Sequence, residues 1–265
     1  MKNLVAGDWH VELLPAAAYE AAYAPQRAVL GVAFDAQSGV HAFGSDRVRP
    51  FRAKPNGLGF VPAGCDVYSA SPVGGEYLRI VAAQPDRLAH LPARQFSDVI
   101  DAAAIAAAHA IRRHLLADGA AAAALIEAQA ELLVERVQAV LHANASSPRE
   151  AAWITANRLK RVDEYIDCHM ERKIRVAEIA GELGLSEGFF IRAFKAAIGV
   201  NPHSYLIDRR IAKARHRLAT SQQSLADIAV AVGFSSHAHM SACFRERLGV
   251  TPGELRRMLQ PRRAA

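Results

Sequence analysis

The chain has 265 residues, of which 51% are apolar and 22% charged, and this composition is typical of a globular protein with about two domains. Its apolar runs fall well short of the about 20 residues of a membrane span, and residues 1–9 lack the apolar core of a signal peptide. We therefore expect a cytoplasmic protein. The cysteines, Cys65, Cys168 and Cys243, are too widely spaced to favour a disulfide framework or a zinc site. We expect Cys168 and Cys243 to be small core residues.

The basic excess of the chain lies in its C-terminal part. Residues 1–150 contain 13 Lys and Arg against 15 Asp and Glu, a net charge of −2. Residues 151–265 contain 19 against 11, a net charge of +8. A domain-sized block with this charge favours a polyanionic partner such as nucleic acid, although a solvated basic surface has the same composition.

Two textures divide the first 146 residues. Residues 1–88 contain short β-like runs between glycine and proline, such as 29–34, 58–61 and 77–81. Such runs at intervals of 10 to 20 residues predict a small antiparallel sandwich or barrel. From about residue 98 to residue 144 the chain is rich in alanine, the best helix former, and this stretch predicts two helices that are broken near residues 118–119.

The second of these helices carries an apolar stripe with the 4, 3, 4, 3 spacing of a heptad seam. One interpretation is a helix packed on its own domain, and the other is a dimer contact. The candidate dimerisation residues are Ile126, Ala130, Leu133, Val137 and Val140. Residues 144–148, which are small and polar and end in Pro148, are predicted to join this part to the rest of the chain.

The C-terminal block repeats itself. Residues 177–186 match residues 226–235 at an offset of 49, whereas Phe194-Lys195 matches Phe244-Arg245 at an offset of 50. The second copy therefore has one extra residue in its turn. A duplication of this length indicates two copies of one supersecondary unit.

Each copy has the pattern of a helix-turn-helix. Gly184 and Gly233 stand where a left-handed residue must end the first helix, a conformation that suits glycine. Ser186 can cap the next helix in the first copy, and Ser235 or Ser236 in the second. Apolar residues recur at i, i+4 and i+8 in each second helix and must face the core. They are Phe190, Phe194 and Ile198, then Met240, Phe244 and Leu248.

A helix over residues 202–220 is predicted to connect the two copies. Its length of about 28 Å is close to the about 34 Å between successive major grooves on one side of DNA. We expect some of its basic residues to form ion pairs and others to lie near phosphate. They are Arg209, Arg210, Lys213, Arg215 and Arg217.

These motifs resemble the double helix-turn-helix domain of the AraC/XylS family of transcription regulators, over about the last 105 residues. The resemblance is carried by Arg192-Ala193-Phe194-Lys195, by Gly233-Phe234-Ser235-Ser236 and by Gly249-Val250-Thr251-Pro252. It implies a multidomain α+β protein with a β-rich, cupin-like barrel, a helical segment and an all-α C-terminal domain. The implied ranges are 1–88 for the sensory domain, 89–146 for the dimerisation segment, 157–262 for the DNA-binding domain, and 174–198 and 223–248 for its helix-turn-helix units.

The resemblance also implies which residues face DNA. They are Glu187, Gly188, Ile191, Arg192 and Lys195 in the first unit, and Ser236, His237, Ala238, Ser241, Ala242 and Arg245 in the second. Because several of these side chains offer no hydrogen bond, base readout is expected to depend on Arg192, His237 and Ser241. Arg192 can bind guanine O6 and N7 together, or instead form an ion pair or contact phosphate. His239, beside Met240, is expected to be partly buried.

The implied partners are double-stranded DNA, RNA polymerase, a second copy of the chain and a small-molecule effector, with no membrane, metal or cofactor. A constitutive activator with a ligandless N-terminal domain stays open as an alternative. A metal-dependent cupin enzyme needs several converging histidines, whereas residues 1–89 contain only His10 and His41, so we expect no enzyme activity. Aromatic residues of the barrel can line an effector pocket or form core. They are Tyr19, Tyr23, Phe34, Phe43, Phe51, Phe60 and Tyr68.

Overall fold

The structure is a computed structural model that describes residues 2–117, 119, 121–143 and 150–260. The chain divides into two compact units, Met1–Ser146 and Ser147–Ala265. The predicted joint, residues 144–148, lies outside the described residues. Across the described ranges, no helix is long and apolar enough to cross a membrane.

Within its described residues, the first unit contains ten strands in two antiparallel sheets. The six-stranded sheet has the order β1-β2-β9-β4-β7-β10, and the four-stranded sheet has the order β3-β8-β5-β6. The strands are β1 (Lys2–Ala6), β2 (Trp9–Leu14), β3 (Tyr19–Tyr23), β4 (Val29–Ala33), β5 (Gln37–Phe43), β6 (Arg49–Ala53), β7 (Leu58–Val61), β8 (Val67–Ser71), β9 (Tyr77–Ala82) and β10 (Phe96–Val99).

Two helices complete the first unit, α1 (Ala102–Ala117) and α2 (Ala122–His142). They are separated near residue 119, as the sequence predicts. The sequence-based range 89–146 is not wholly helical, however, because it also contains β10, which pairs with β7. This four-residue strand escapes pattern reasoning because it is short and irregular, with Asp98 in a left-handed conformation at φ +63°.

The apolar stripe of α2 lies in the core of this unit. Ile126, Ala130, Leu133 and Val137 have at most 1% of their surface exposed, and Val140 is half-buried. Helix α2 packs against α1 and also contacts β1 and β4. The stripe is therefore occupied by the unit's own elements, which is the first of the two interpretations, and dimerisation through it remains a prediction.

The described part of the second unit is all-helical apart from its turns. The helices are α3 (Ala156–His169), α4 (Val176–Glu182), α5 (Glu187–Ile198), α6 (Pro202–Thr220), α7 (Leu225–Ala231), α8 (His237–Leu248) and α9 (Pro252–Leu259). A β-rich part followed by an all-α part confirms the predicted fold class. Helix α6 has the predicted bounds because Pro202 suits the first helical turn and the Asn201 side chain accepts a hydrogen bond from the Ser204 N–H.

The three cysteines are free thiols in different surroundings. Cys243 is buried on α8, which confirms its prediction as a core residue. Cys168 is exposed, so its prediction as a core residue was wrong. It lies near the end of α3 on the face that points away from the buried Val162 and Ile166.

Candidate nucleic-acid interface

The two helix-turn-helix units are α4–α5 and α7–α8. Four residues, 183–186, separate the first pair of helices, and five residues, 232–236, separate the second. This confirms the extra residue predicted from the change of offset. Gly184 and Gly233 both adopt left-handed backbone, with φ of +67° and +83°, so each turn uses glycine where other residues are strained.

The inward faces of α5 and α8 are completely buried. On α5 these residues are Phe190, Phe194 and Ile198, and on α8 they are Met240, Phe244 and Leu248, each with no exposed surface. Each second helix is therefore held in the unit by its apolar stripe. Its opposite face remains open to a partner.

The capping of these two helices differs. The hydroxyl of Ser236 accepts a hydrogen bond from the His239 N–H at 3.0 Å, so Ser236, and not Ser235, is the cap of α8. Ser186 occupies the cap position of α5, but its side chain forms no capping hydrogen bond, contrary to expectation. His239 is exposed, and not partly buried as predicted, because Phe234 takes the core position while the His239 ring lies edge-on against it.

None of the residues that the resemblance assigns to DNA contact is buried. Ile191 and Ser241 are half-buried, and the other nine are exposed. The exposed residues are Glu187, Gly188, Arg192 and Lys195 on α5, and Ser236, His237, Ala238, Ala242 and Arg245 at the start and along α8. Each set shares one outward face of its helix, so the geometry allows contact with a partner, and the contact itself remains a prediction.

Two polar pairs mark the outward faces. On α5, Arg192 forms an ion pair with Glu150, with 3.8 Å between Nε and Oε1. On α8, His237 Nε2 and Ser241 Oγ lie 3.3 Å apart, one turn along the helix. These pairs contain the three side chains expected to read bases. Each therefore has a defined position in the folded unit.

Helix α6 uses two of its arginines inside the unit. Arg209 donates to both carboxylate oxygens of Asp167 at 2.7 Å. Burial lowers the pKa of Arg209, but Tyr205, Asp163 and Asp167 outweigh burial and raise the pKa above its ordinary value. This arginine is thus a structural partner of α3.

Arg210 is also structural. It is 7% exposed and donates to the backbone carbonyl of Arg172 at 2.9 Å, and burial lowers its pKa. Further along α6, Arg217 donates to the side-chain oxygen of Gln223, and Lys213 is exposed. Arg209 and Arg210 are therefore engaged within the unit, whereas Lys213 is open to a partner.

Sequence reasoning missed a short segment that contacts α5. Ala151–Trp153 form a 3-10 turn, and the rings of Trp153 and Phe189 meet edge-on with centroids 5.3 Å apart. The Arg158 guanidinium lies 5.2 Å from the Trp153 ring. The segment has no helical periodicity. The sequence signal that could have indicated this segment was a tryptophan close to the basic residues at the start of α3.

The first unit has a second candidate site, a cavity of about 410 Å³ beside β3, β5 and β8. Tyr23, Tyr68, Val48 and two carboxylates, Asp46 and Asp66, contribute to its lining. Among the other predicted pocket aromatics, Phe34 and Phe60 belong to the core, while Tyr19, Phe43 and Phe51 are exposed or half-buried and are not part of this lining.

His41, one of the two histidines considered for a metal-dependent enzyme, lies among aromatic rings. His41 stacks on Phe51 with centroids 4.8 Å apart, and burial lowers its pKa. Over the described residues, no group of three His, Cys, Asp or Glu side chains is arranged to hold a metal ion.

Comparison with known proteins agrees with this geometry. Residues 179–258 match the family described as "Helix-turn-helix domain". The transcriptional regulator LumQ of Photobacterium leiognathi is 35% identical over 91 residues, which are 34% of this chain and 37% of LumQ. The transcriptional activator RhaS of Escherichia coli O139:H28 is 32% identical over 120 residues, which are 45% of this chain and 43% of RhaS.

Among solved structures, the DNA-binding domain of the transcription factor AdpA in complex with DNA is 29% identical. The match covers 40% of this chain and 96% of the AdpA domain, with a TM-score of 0.38. The matched segments span less than half the length of LumQ and RhaS. The C-terminal unit thus contains a helix-turn-helix domain of the kind found in transcription regulators. Its resemblance to the AraC/XylS family is confirmed.

Proposed function

We propose that this chain is a sequence-specific regulator of transcription that binds double-stranded DNA. The observation that carries the proposal is the pair of helix-turn-helix units, each with a buried inner face and an exposed outer face on its second helix. A second helix presented in this way is the element that enters a major groove. Helices α5 and α8 are the two readers.

The connection between the readers supports simultaneous binding. Helix α6 has 19 residues and a length of about 28 Å, close to the about 34 Å between successive major grooves on one side of the duplex. Its Arg209 is tied to Asp167 of α3, and its Arg210 to the carbonyl of Arg172. These contacts hold α6 against α3, and α6 also packs against both α5 and α8, so we expect the two readers to bind DNA as one body.

Base readout is assigned to Arg192 on α5 and to His237 and Ser241 on α8. Arginine can donate two parallel hydrogen bonds to guanine O6 and N7, and this contact distinguishes bases. We assign phosphate contacts, which add affinity without sequence information, to Lys195 and Arg245, and their exposure supports this assignment.

The test is selection of duplexes from a random-sequence pool by the full-length protein, followed by competition titrations at two salt concentrations. Arg192→Ala should weaken the selected site by about 1–3 kcal/mol and random DNA much less. Lys195→Ala should weaken binding to the selected site and to random DNA equally. It should also reduce the slope of log K against log salt concentration by about one. A pool that yields no enriched sequence would contradict the proposed function.

We infer further that the first unit binds a small-molecule effector in the cavity beside β3, β5 and β8. The site is open to solvent, and it offers a ligand apolar surface from Tyr23, Tyr68 and Val48 and hydrogen-bond acceptors from Asp46 and Asp66. Thermal-shift screening of the whole chain tests this. Tyr68→Ala should abolish the shift, and Tyr19→Ala, on the same sheet but outside the lining, should retain it. A protein that responds to no compound would favour the constitutive regulator.

The remaining partners follow from the same proposal. We expect a homodimer that contacts RNA polymerase, and no catalytic activity. Because Leu133 and its stripe are buried in their own unit, a dimer through α2 must use the outward face of this helix, where Leu125 is 44% exposed. Sedimentation of the wild-type chain and of Leu125→Asp would show whether this face associates.

A further inference from the structure

The segment 150–154, here called the brace, is built into the second unit beside the first reader. Ala151 and Ile154 are 9% and 2% exposed, so the brace is anchored by apolar burial. Trp153 lies edge-on against Phe189 of α5, and its carbonyl accepts a hydrogen bond from Arg158 Nη1 at 2.8 Å. These contacts give Glu150, the first residue of the brace, a fixed place next to α5.

Glu150 meets Arg192 at one particular edge of the guanidinium. Its Oε1 lies 3.8 Å from Nε of Arg192. Nη1 of Arg192 lies over Gly188, 3.8 Å from where a Cβ of that residue would lie, which is an ordinary van der Waals distance. Within the part of the chain that the structure describes, neither terminal nitrogen of Arg192 forms a hydrogen bond, so no described residue competes with guanine for these two donors.

The pair does little for stability. The two side chains are 62% and 51% exposed, and exposed ion pairs of this kind are largely screened by water and salt. The backbone of the brace, in contrast, is anchored by the buried Ala151 and Ile154. A carboxylate that this backbone keeps beside the exposed tip of a reading arginine points to a role in recognition more than in folding.

We propose that Glu150 is a positioning residue for base recognition by Arg192. Its carboxylate attracts the Nε edge from 3.8 Å and thereby leaves Nη1 and Nη2 available for guanine O6 and N7. Because an arginine loses considerable rotamer freedom on binding, restricting it beforehand reduces the cost of the specific complex. The same carboxylate repels phosphate and keeps Arg192 from turning to the DNA backbone. This inference rests on the proposed function and assigns its specificity to a segment outside both helix-turn-helix units.

The test combines variants of the full-length chain with single base-pair substitutions in a duplex selected from a random pool. Arg192→Ala identifies the base pair at which Arg192 discriminates. Glu150→Gln should reduce discrimination at that same base pair by about 1.4- to 5-fold, the effect that an exposed pair supports, and leave other positions unchanged. Random DNA should bind equally well or more tightly. Glu164→Gln is the control, since it also removes an exposed ion pair, with Lys160, and one negative charge.

The outcomes separate the inference from the function on which it rests. Equal weakening at all positions by Glu150→Gln, or the same effect from Glu164→Gln, would overturn the inference alone. An Arg192→Ala variant that loses discrimination at no base pair would overturn both the inference and the assignment of base readout to Arg192, while sequence-specific binding by the chain would stand. A pool without enriched sequences would overturn the inference and the proposed function. If Glu150→Gln melts at the same temperature as the unsubstituted chain, its loss of base discrimination does not come from misfolding.

Discussion

The guanidinium of Arg210 lies against Gly233, the left-handed residue of the second turn. A Cβ on Gly233 would lie 2.8 Å from Nη2 of Arg210 and would collide with the carbonyl oxygen of Met170. The same nitrogen donates to the carbonyl of Arg172. One arginine of the connecting helix thus joins the end of α3 to the turn of the second helix-turn-helix unit, and glycine is what makes room for it.

Gly233→Ala is therefore expected to destabilise the second unit more than Gly184→Ala. Both glycines have positive φ, and the left-handed conformation costs other residues about 1–2 kcal/mol. A Cβ on Gly184 meets nothing within 4 Å, whereas one on Gly233 overlaps two groups and should cost about 1–3 kcal/mol more. Urea unfolding followed by Trp153 fluorescence, in a Trp9→Phe background, measures both. Equal losses of unfolding free energy in the two variants would show that Arg210 moves away from the new Cβ without an energetic cost.

The double variant Leu133→Asp and Val137→Asp should unfold the first unit. Both positions have at most 1% of their surface exposed, and an unpaired buried charge costs about 3–5 kcal/mol. Two such charges approach the whole stability of a domain. Circular dichroism and hydrodynamic size report the result. Leu125→Asp on the same helix, 44% exposed, should stay folded. A folded monomer from the double variant would identify the stripe as a contact between two copies.

Asp101 is expected to stabilise the first unit at neutral pH. Burial opposes its ionisation, but hydrogen bonds from Arg136 and from the N–H of Ala104 outweigh burial and hold its pKa below 3.8. Because the folded pKa lies below the unfolded one, this stability is present above about pH 4 and is lost as the pH falls through the folded pKa. Asp101→Asn should cost about 1–3 kcal/mol near neutral pH and less in acid. Urea unfolding at several pH values measures the difference.

Ionisation of Asp98 is expected to have the opposite effect on the stability of the first unit, so Asp98 serves as the control for Asp101. Burial raises its pKa, although the N–H of Lys54 donates to its carboxylate at 2.7 Å. A folded pKa above the unfolded one means that ionisation weakens the folded state. Asp98→Asn should therefore stabilise near neutral pH and lose this advantage in acid. Asparagine tolerates the positive φ of this position. A loss of stability near neutral pH would refute this assignment.

A fragment of residues 147–265 should be more stable than a fragment of residues 156–265. The shorter fragment lacks the brace, which buries Ile154 and packs Trp153 on Phe189. It also lacks Thr155, the cap of α3. Burial of one isoleucine contributes about 1.5–3 kcal/mol and the cap about 1 kcal/mol. Thermal unfolding by circular dichroism compares the two. Equal melting would mean that the second unit folds without the brace.

Local sequence determined much of the second unit. The repeated glycines predicted two left-handed turns, and the apolar spacing of Phe190, Phe194 and Ile198 predicted the buried face of α5. Helix α6 begins at the predicted residue, Pro202. These features depend on backbone conformation and on residues within one or two helical turns, so a single sequence contains them. The candidate DNA contacts on the outward face of each reader came instead from the resemblance to the AraC/XylS family.

Tertiary structure decided what each face meets. Arg209 of α6 pairs with Asp167, 42 residues earlier, so no local pattern distinguishes it from the exposed Lys213. The stripe of α2 indicated a buried face, but its partners, α1 and two strands, were not specified. Glu150 next to Arg192 had no sequence signal at all. Periodicity predicts that a side chain is buried. The residue that this side chain contacts depends on where distant elements come together in the fold.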